Sequence, residues 1–394
     1  MLVNGERALA YVVTIDEIQP LEGYDRVEYA RTNGWWCIVG KADGMKVGDK
    51  AVYFEVDSKV PSDDRRFEFL EKRNYKIKTQ KMCKVYSQGL LMPLALFPEL
   101  GDAKVGTDVT KKLRITYAND EDNARKGTGG DPNAKYKSMA ARHQKLFKSK
   151  PVRWLMRRKW GKKLMFVFFG RKKDKPKGFP SFVAKTDEER VENQPWRVGD
   201  GKTYLATEKL DGTSCTYALR RIPKRAFHKA TYEFYVCSRN VRQKDEDQKC
   251  YHDHNIYWDL AFKYNIEKHL REFLIWHQSY DWVCIQGEGV GSVQGNPLKL
   301  KEDDLYVFNF IDSVNGRYPS DLGKQTIEEW GMKWVPILGE VTLPDTMEAL
   351  KETADGKSVV NPAVDREGIV YRSLDGKDSF KNVSRKYLLK HQNA

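Results

Sequence analysis

Ala206-Thr207-Glu208-Lys209-Leu210-Asp211-Gly212-Thr213-Ser214 follows the apolar pair Tyr204-Leu205 and sets a lysine and a carboxylate two residues apart beside a glycine. On a strand, residues two apart point to one face, so Lys209 and Asp211 can look into one pocket. Gly212 allows the backbone to turn closely past a nucleotide. A lysine attacks phosphorus only as the neutral amine, and with an ordinary pKa near ~10.4 almost none is neutral at pH 7. Cationic neighbours or a metal ion must lower that pKa if Lys209 is a nucleophile. An exposed turn between two strands would carry the same residues without chemistry, so the decision rests on the rest of the chain.

Five further stretches follow, and with Lys-x-Asp-Gly they resemble, in family order, the motifs of the covalent nucleotidyltransferase superfamily of ATP-dependent ligases and capping enzymes. Val236-Cys237-Ser238-Arg239-Asn240 resembles motif Ia. Ile285-Gln286-Gly287-Glu288, with Gln294-Gly295-Asn296, resembles the motif III region of RNA ligases. Leu305-Tyr306-Val307-Phe308-Asn309-Phe310 resembles motif IIIa, Arg366-Glu367-Gly368-Ile369-Val370-Tyr371 motif IV, and Ser379-Phe380-Lys381 motif V.

Ahead of these motifs, residues 1 to about 115 read as mostly β, with runs at Leu9–Val13, Val27–Ala30, Trp35–Val39, Ala51–Val56 and Leu90–Leu94. Thr32-Asn33-Gly34 is a tight hairpin signal, and Ala42-Asp43-Gly44 with Val47-Gly48-Asp49 closes the next connection. A barrel of about five strands fits, as in the OB-fold, which commonly binds oligonucleotides. Pattern alone leaves an unrelated small barrel open. Lys78 to Leu91, especially Tyr86-Ser87-Gln88-Gly89-Leu90-Leu91, resembles the N-terminal OB domain of one branch of ATP-dependent RNA ligases.

The expected fold class is therefore α+β: an N-terminal OB-type β-barrel (residues 1–115), a basic connector (116–178), and a nucleotidyltransferase domain of antiparallel sheets flanked by helices (179–394). At 394 residues the chain is long enough for two cores. The connector holds the charge. Of a net +14, the stretch 135–178 carries seventeen Lys and Arg against the single acid Asp174, which leaves the remainder slightly acidic. Trp154, Trp160, Phe166, Phe168 and Phe169 are interleaved there, a pattern suited to a nucleic-acid backbone, although a solvated linker reads similarly. Residues 116–134 read as a loop, 138–150 as a helix stopped by Pro151, and Lys175–Pro180 as a breaker.

Thr186 and Glu189 form a capping box that predicts a short helix ended by Pro195, while the run Lys185–Arg190 resembles the opening of the transferase domain in the RNA ligase branch. Residues 215–219 and 232–236 read as paired strands, and Ile266, Leu270, Phe273 and Leu274 recur at helical spacing. Cys250-Tyr251-His252-Asp253-His254 lacks the spacing of a structural zinc site. Six scattered cysteines without a Cys-x-x-Cys pair point to reduced thiols, and no apolar run suggests a leader or a membrane span. These features predict a soluble intracellular protein, cytoplasmic or nuclear.

The resemblance implies an ATP-dependent RNA ligase joining RNA 5′-phosphate and 3′-hydroxyl ends through a lysyl-adenylate, with ATP and Mg²⁺ or Mn²⁺ as cofactors and a monomer as the working form. It implies that Lys209 is the nucleophile and that Lys381 contacts the α-phosphate. Arg239 and Arg190 face the nucleotide, Phe308 stacks on adenine, and Glu208 contacts the base, although strand alternation alone would send Glu208 to solvent. Asp211, Glu288 and Glu367 are the acids placed to hold a hydrated cation. Motif V commonly reads Lys-x-Lys, whereas Lys381-Asn382-Val383 lacks the second lysine, so Arg385 or Lys386 substitutes or one phosphate contact is missing. DNA ligases and capping enzymes share the chemistry but typically carry the OB domain after the transferase domain. A nucleic-acid-binding protein that keeps the fold without catalysis is the other alternative.

Overall fold

The computed structural model describes residues 1–3, 6–118, 152, 178–222, 230–243 and 255–391. The described residues of 1–118 and 178–391 form one compact unit. The bulk of the basic connector, its expected helix over 138–150, its interleaved aromatics and the Cys250–His254 stretch lie outside the described residues.

The N-terminal part is built from two three-stranded antiparallel sheets. β1 (Ala10–Thr14), β5 (Lys50–Phe54) and β6 (Leu90–Pro93) form one, with β5 central, while β2 (Glu17–Leu21), β3 (Tyr24–Thr32) and β4 (Trp35–Gly40) form the other. β-Branched and aromatic residues are frequent in these strands; β4 alternates with period 2, whereas β1 and β5 bury consecutive residues on both faces. In β4, Trp35, Cys37 and Val39 are buried while Trp36 and Ile38 are half-buried. The predicted hairpin at Asn33-Gly34 joins β3 to β4, with Asn33 at φ 51°.

The second part holds two sheets. The five-stranded sheet has the order β7 (Glu189–Arg190), β15 (Ser379–Val383), β14 (Gly368–Ser373), β8 (Thr203–Lys209) and β13 (Ile337–Thr342). The larger sheet runs β10 (Thr231–Cys237), β9 (Thr213–Ile222), β11 (Trp282–Val290), β12 (Asp304–Asp312), then Gly316–Arg317. Strands β8 and β9 are consecutive, so the turn Leu210-Asp211-Gly212 passes the chain from one sheet to the other. Lys209 thus stands at the junction of both sheets.

Helices α1 (Ile256–Lys263), α2 (Ile266–Trp276) and α3 (Ser320–Glu329) cover the larger sheet. Ile266, Leu270 and Leu274 of α2 are fully buried in its core, as their spacing predicts. Truncating either leucine to alanine would cost roughly 2–5 kcal/mol. Helices α4 (Met347–Thr353) and α5 (Arg385–His391) flank the five-stranded sheet.

The capping-box helix does not form. Glu189 and Arg190 pair parallel with Phe380 and Lys381, and only a 3-10 turn follows at Val191–Asn193. Arg190 is extended, at φ −77° and ψ 139°. The Thr186 hydroxyl bonds Ser214 Oγ at 2.6 Å, and Asp187 and Glu188 are taken up by cations across the sheet. Tertiary pairing overrides the local helix signal.

Candidate active site at the junction of two sheets

Lys209 is the last residue of β8, paired with Gly368 of β14. Its Nζ donates to Glu367 Oε2 at 2.6 Å. Burial acts to lower the Lys209 pKa, but the charges of Glu367, Glu288 and Asp211 overcome it and hold the pKa above the ordinary value. In this state the amine is a protonated cation, which cannot attack. Burial and the neighbouring acids push the Glu288 carboxyl up to about 8, although Lys209 pulls it the other way. Burial likewise raises Glu367, against the pull of Lys209.

The three acids therefore converge on one amine from three elements: the β8–β9 turn, β11, and the residue just before β14. Among the described residues, no three His, Cys, Asp or Glu side chains are gathered closely enough to chelate an ion directly. The donor set is nonetheless all carboxylate oxygen, carries more negative charge than Lys209 alone neutralises, and suits a hard divalent cation held through its waters. Asp211 is fixed by a residue that no sequence signal marked: the Tyr387 hydroxyl of α5 donates to Asp211 Oδ2 at 2.5 Å, and the Tyr387 ring stacks on His391 at 4.0 Å.

Gly212 is required, but by the protein itself. A Cβ there would stand 2.3 Å from the Gly289 carbonyl oxygen of β11, so the glycine lets the turn lie directly against the strand that carries Glu288.

Lys381 is 7% exposed and shares the Asp187 carboxylate with Arg239: Lys381 Nζ lies 2.9 Å from Oδ1 and Arg239 Nη2 lies 2.6 Å from Oδ2. Burial lowers the Lys381 pKa to about 8, with Asp187 opposing that fall and Arg7, Arg190 and Lys209 adding to it. Burial would raise Asp187, yet Lys381, Arg239 and Arg7 drive it far below the usual carboxylate range. Arg190 pairs with Lys381 in strand register and donates to Asp57 Oδ2 at 3.3 Å, with its guanidinium 5.6 Å from the Trp35 ring centre. Sequence reasoning found Arg190 and missed Asp187, three residues away in the same stretch.

Glu208 departs from the solvent-facing orientation that alternation predicts. It is 2% exposed. Its Oε2 accepts from the Val359 amide at 2.8 Å, whereas Oε1 is buried with no partner, and burial raises its pKa. An orphaned buried acceptor of this kind suits an N–H donor brought by a ligand, such as an exocyclic amine. Phe308 sits where the β11–β12 register slips between Gln286 and Gly287, and it shares its half-buried face with Tyr306. It is half-buried, with the Arg372 guanidinium 5.6 Å from its ring centre. Neither candidate for the missing motif V lysine reaches this cluster. Arg385 is paired with Glu348 at 2.6 Å and lies over Tyr86, and Lys386 pairs with Asp355 at 2.9 Å.

Comparison with known proteins agrees with this layout. The RNA ligase family profile matches residues 202–389, and an OB-fold domain profile matches residues 9–94. Among curated proteins, none matches the chain. The fold is similar to that of a Naegleria gruberi RNA ligase solved with pyrophosphate, at 29% identity and a TM-score of 0.72, covering 99% of this chain and 100% of that one. Mutants of the same Naegleria gruberi enzyme give similar matches. One solved with ATP and manganese shows 28% identity and a TM-score of 0.71 over 98% and 99% of the two chains, and one with AMP and manganese shows 27% and 0.69 over 98% and 100%.

Proposed function

Because the chain belongs to the ATP-dependent RNA ligases that carry an OB-fold domain ahead of the ligase domain, we propose that it joins RNA 5′-phosphate and 3′-hydroxyl ends through an adenylate carried on Lys209. The observation that carries this assignment is the Lys209 amine, 2.6 Å from Glu367 and acted on by Asp211 and Glu288 as well. The Lys209 Nζ–phosphorus bond forms as the bond from the ATP α-phosphorus to pyrophosphate breaks. The adenylyl group then passes to the RNA 5′-phosphate oxygen, and a 3′-hydroxyl displaces AMP to form the phosphodiester.

Lys381 and Arg239 supply positive charge to the phosphates and ribose, Arg190 lines the same side, Glu208 accepts from the base, and Phe308 stacks on it. Asp211, Glu288 and Glu367 would hold Mg²⁺ or Mn²⁺ through its waters, as the complexes of the Naegleria gruberi relative with manganese also suggest. When bound, the ion neutralises charge on the α-phosphate and favours the neutral form of Lys209. We take the working form to be a monomer, with no helix among the described residues long and apolar enough to cross a membrane.

The test is twofold. Incubation with α-labelled ATP and Mg²⁺ should leave a covalent label that survives denaturation, and Lys209→Ala should abolish it. Matched nicks that differ only in the sugars flanking the break should then be sealed faster with ribonucleotides on the 3′-hydroxyl side, where the 2′-hydroxyl and A-form geometry position the attacking oxygen. Faster sealing of all-DNA would overturn the RNA specificity, and absence of the label would overturn the lysyl-adenylate mechanism.

A further inference from the structure

Two arginines tie the sheets together beside Phe308, and each reaches from its own sheet to the other. Arg372 leaves β14 in the five-stranded sheet, and its Nη1 donates to the Phe308 carbonyl of β12 at 3.1 Å. Arg317, from the short strand paired with β12 in the larger sheet, donates back through Nη1 to Ser379 Oγ of β15 at 2.9 Å and through Nε to the Gly376 carbonyl. Glu188 stands between them. Its Oε1 lies 3.6 Å from Arg317 Nη1 and 3.8 Å from Arg372 Nη2, and its Oε2 accepts from Ser379 Oγ at 2.6 Å. The β14–β15 turn also meets the larger sheet directly, since a Cβ on Gly376 would stand 2.7 Å from the Tyr318 carbonyl oxygen.

Arg372 is 3% exposed, and its Nε is buried with no hydrogen-bond partner. Burial brings its pKa down to about 10, with Glu188 opposing that fall and Arg317 adding to it. A buried cation that faces another cation and leaves a donor unmatched costs stability, and an apolar side chain of similar volume would fill a plain core position as well or better. What the guanidinium does that an apolar side chain cannot is hold the backbone of Phe308 while lying over its ring, 5.6 Å from the centre. Phe308 lacks the usual hold. Gln286 pairs with Asn309 and Gly287 with Val307, so Phe308 is the extra residue of a bulge, without a partner on β11, and Arg372 takes the carbonyl of that unpaired residue.

We propose that Arg372 is a positioning residue for the nucleotide base: clamped with Arg317 on Glu188, it sets where the Phe308 ring stands and thereby the grip on the base, and it leaves phosphate binding and the transfer step alone. The inference rests on the reading of Phe308 as the residue that stacks on the base, and it gives the two reciprocal arginines control of the spacing between the sheets at that point. A base-bearing ligand then feels the clamp, and a base-free polyphosphate does not.

Arg372→Met in the full chain keeps the bulk and removes the fork. It is read on Lys209 labelling across ATP concentrations, and on calorimetric titration with ATP in the absence of Mg²⁺ and with inorganic triphosphate. Half-maximal labelling should require roughly three- to tenfold more ATP, about what one aromatic stack contributes, with the plateau rate within about twofold of the parent. ATP binding should weaken by the same factor, and triphosphate binding should stay within about twofold. Phe308→Leu should show the same ATP defect, and adding Arg372→Met to it should deepen that defect by less than about twofold. An ATP dependence like the parent's, an equal loss for ATP and triphosphate, or additive losses in the double variant would each overturn the proposal. If Arg372→Met does not fold, Arg317→Gln, which keeps a donor for Ser379, loosens the same clamp from the opposite sheet and is judged by the same criteria. A parent that binds ATP more tightly than triphosphate yet never labels would sink the ligase mechanism while leaving the clamp to be judged by the variants' binding.

Discussion

One oxygen of Asp187 accepts from Lys381 Nζ at 2.9 Å and the other from Arg239 Nη2 at 2.6 Å, so a single carboxylate sets the spacing of two cations assigned to the nucleotide. Asp187 also opposes the burial that brings Lys381 down to about 8. In Asp187→Asn that opposition is gone, the Lys381 pKa falls further, and its proton is lost at lower pH. Relative to the parent, labelling by Asp187→Asn is expected to be depressed above pH 8, approaching roughly tenfold at high pH for each unit by which the Lys381 pKa falls, and to recover as pH falls toward 6.5. A variant-to-parent ratio that stays flat with pH would show that Asp187 acts only by placement.

Tyr387→Phe removes the hydroxyl that fixes Asp211 and leaves the ring stacked on His391. Groups that orient metal-holding carboxylates typically matter by 10- to 100-fold in metal affinity. The Mg²⁺ concentration giving half-maximal labelling should rise by roughly tenfold, with the plateau rate near that of the parent. An unchanged Mg²⁺ requirement would refute this role for Tyr387.

That Lys209, Asp211, Glu288 and Glu367 would meet was legible in the sequence because each falls within a short stretch of fixed chemistry and neighbours. The burial of Glu208 was not legible from alternation, which would send it to solvent, because period-2 alternation marks solvent only where one face of the sheet is wet; only the family resemblance selected this residue. The helix expected from Thr186 and Glu189 failed for a related reason: a capping box is a local preference worth about 1 kcal/mol, and pairing with Lys381's strand outweighs it. Tyr387 lay beyond reach, since its bond to Asp211 spans 176 positions and nothing in its own neighbourhood announces that partner.

Glu55 offers a stability test. Although burial would raise its pKa, Arg7, the Met1 amine and Arg190 lower it from 4.5 to about 2. A carboxylate depressed in the folded state stabilises above its unfolded pKa and loses that contribution as pH falls through the folded value. The parent should therefore lose stability between about pH 4.5 and pH 2, and Glu55→Gln should be less stable at neutral pH with a flatter profile across that window. Denaturant midpoints at several pH values measure both, and parallel profiles would count against the pairing.

Gly34→Ala should destabilise the junction of the barrel with the transferase domain. The Gly34 amide donates to the Glu192 carbonyl at 2.7 Å, and a Cβ would stand 2.7 Å from Glu192 Cα. Such overpacking costs about 1–3 kcal/mol, so the melting temperature should fall by roughly 1–4 °C in a chain of this size. An unchanged melting temperature would mean that this seam yields freely.

Around that seam, the Asn193 side chain accepts from Trp35 Nε1 at 2.5 Å and Tyr11 at 2.8 Å, and donates to Glu55 at 3.1 Å and Glu189 at 2.7 Å. Buried Lys351 reaches across to the Gly34 carbonyl at 2.7 Å and to Gln88 at 3.2 Å. A backbone amide cannot be exchanged by substitution, so descent can alter this junction only through the side chains that enclose it, and those side chains answer one another across it. The barrel is in that sense no interchangeable cassette. A foreign barrel grafted ahead of residue 178 would have to place a carbonyl against buried Lys351 and donors against Asn193, or leave both groups unsatisfied at the seam.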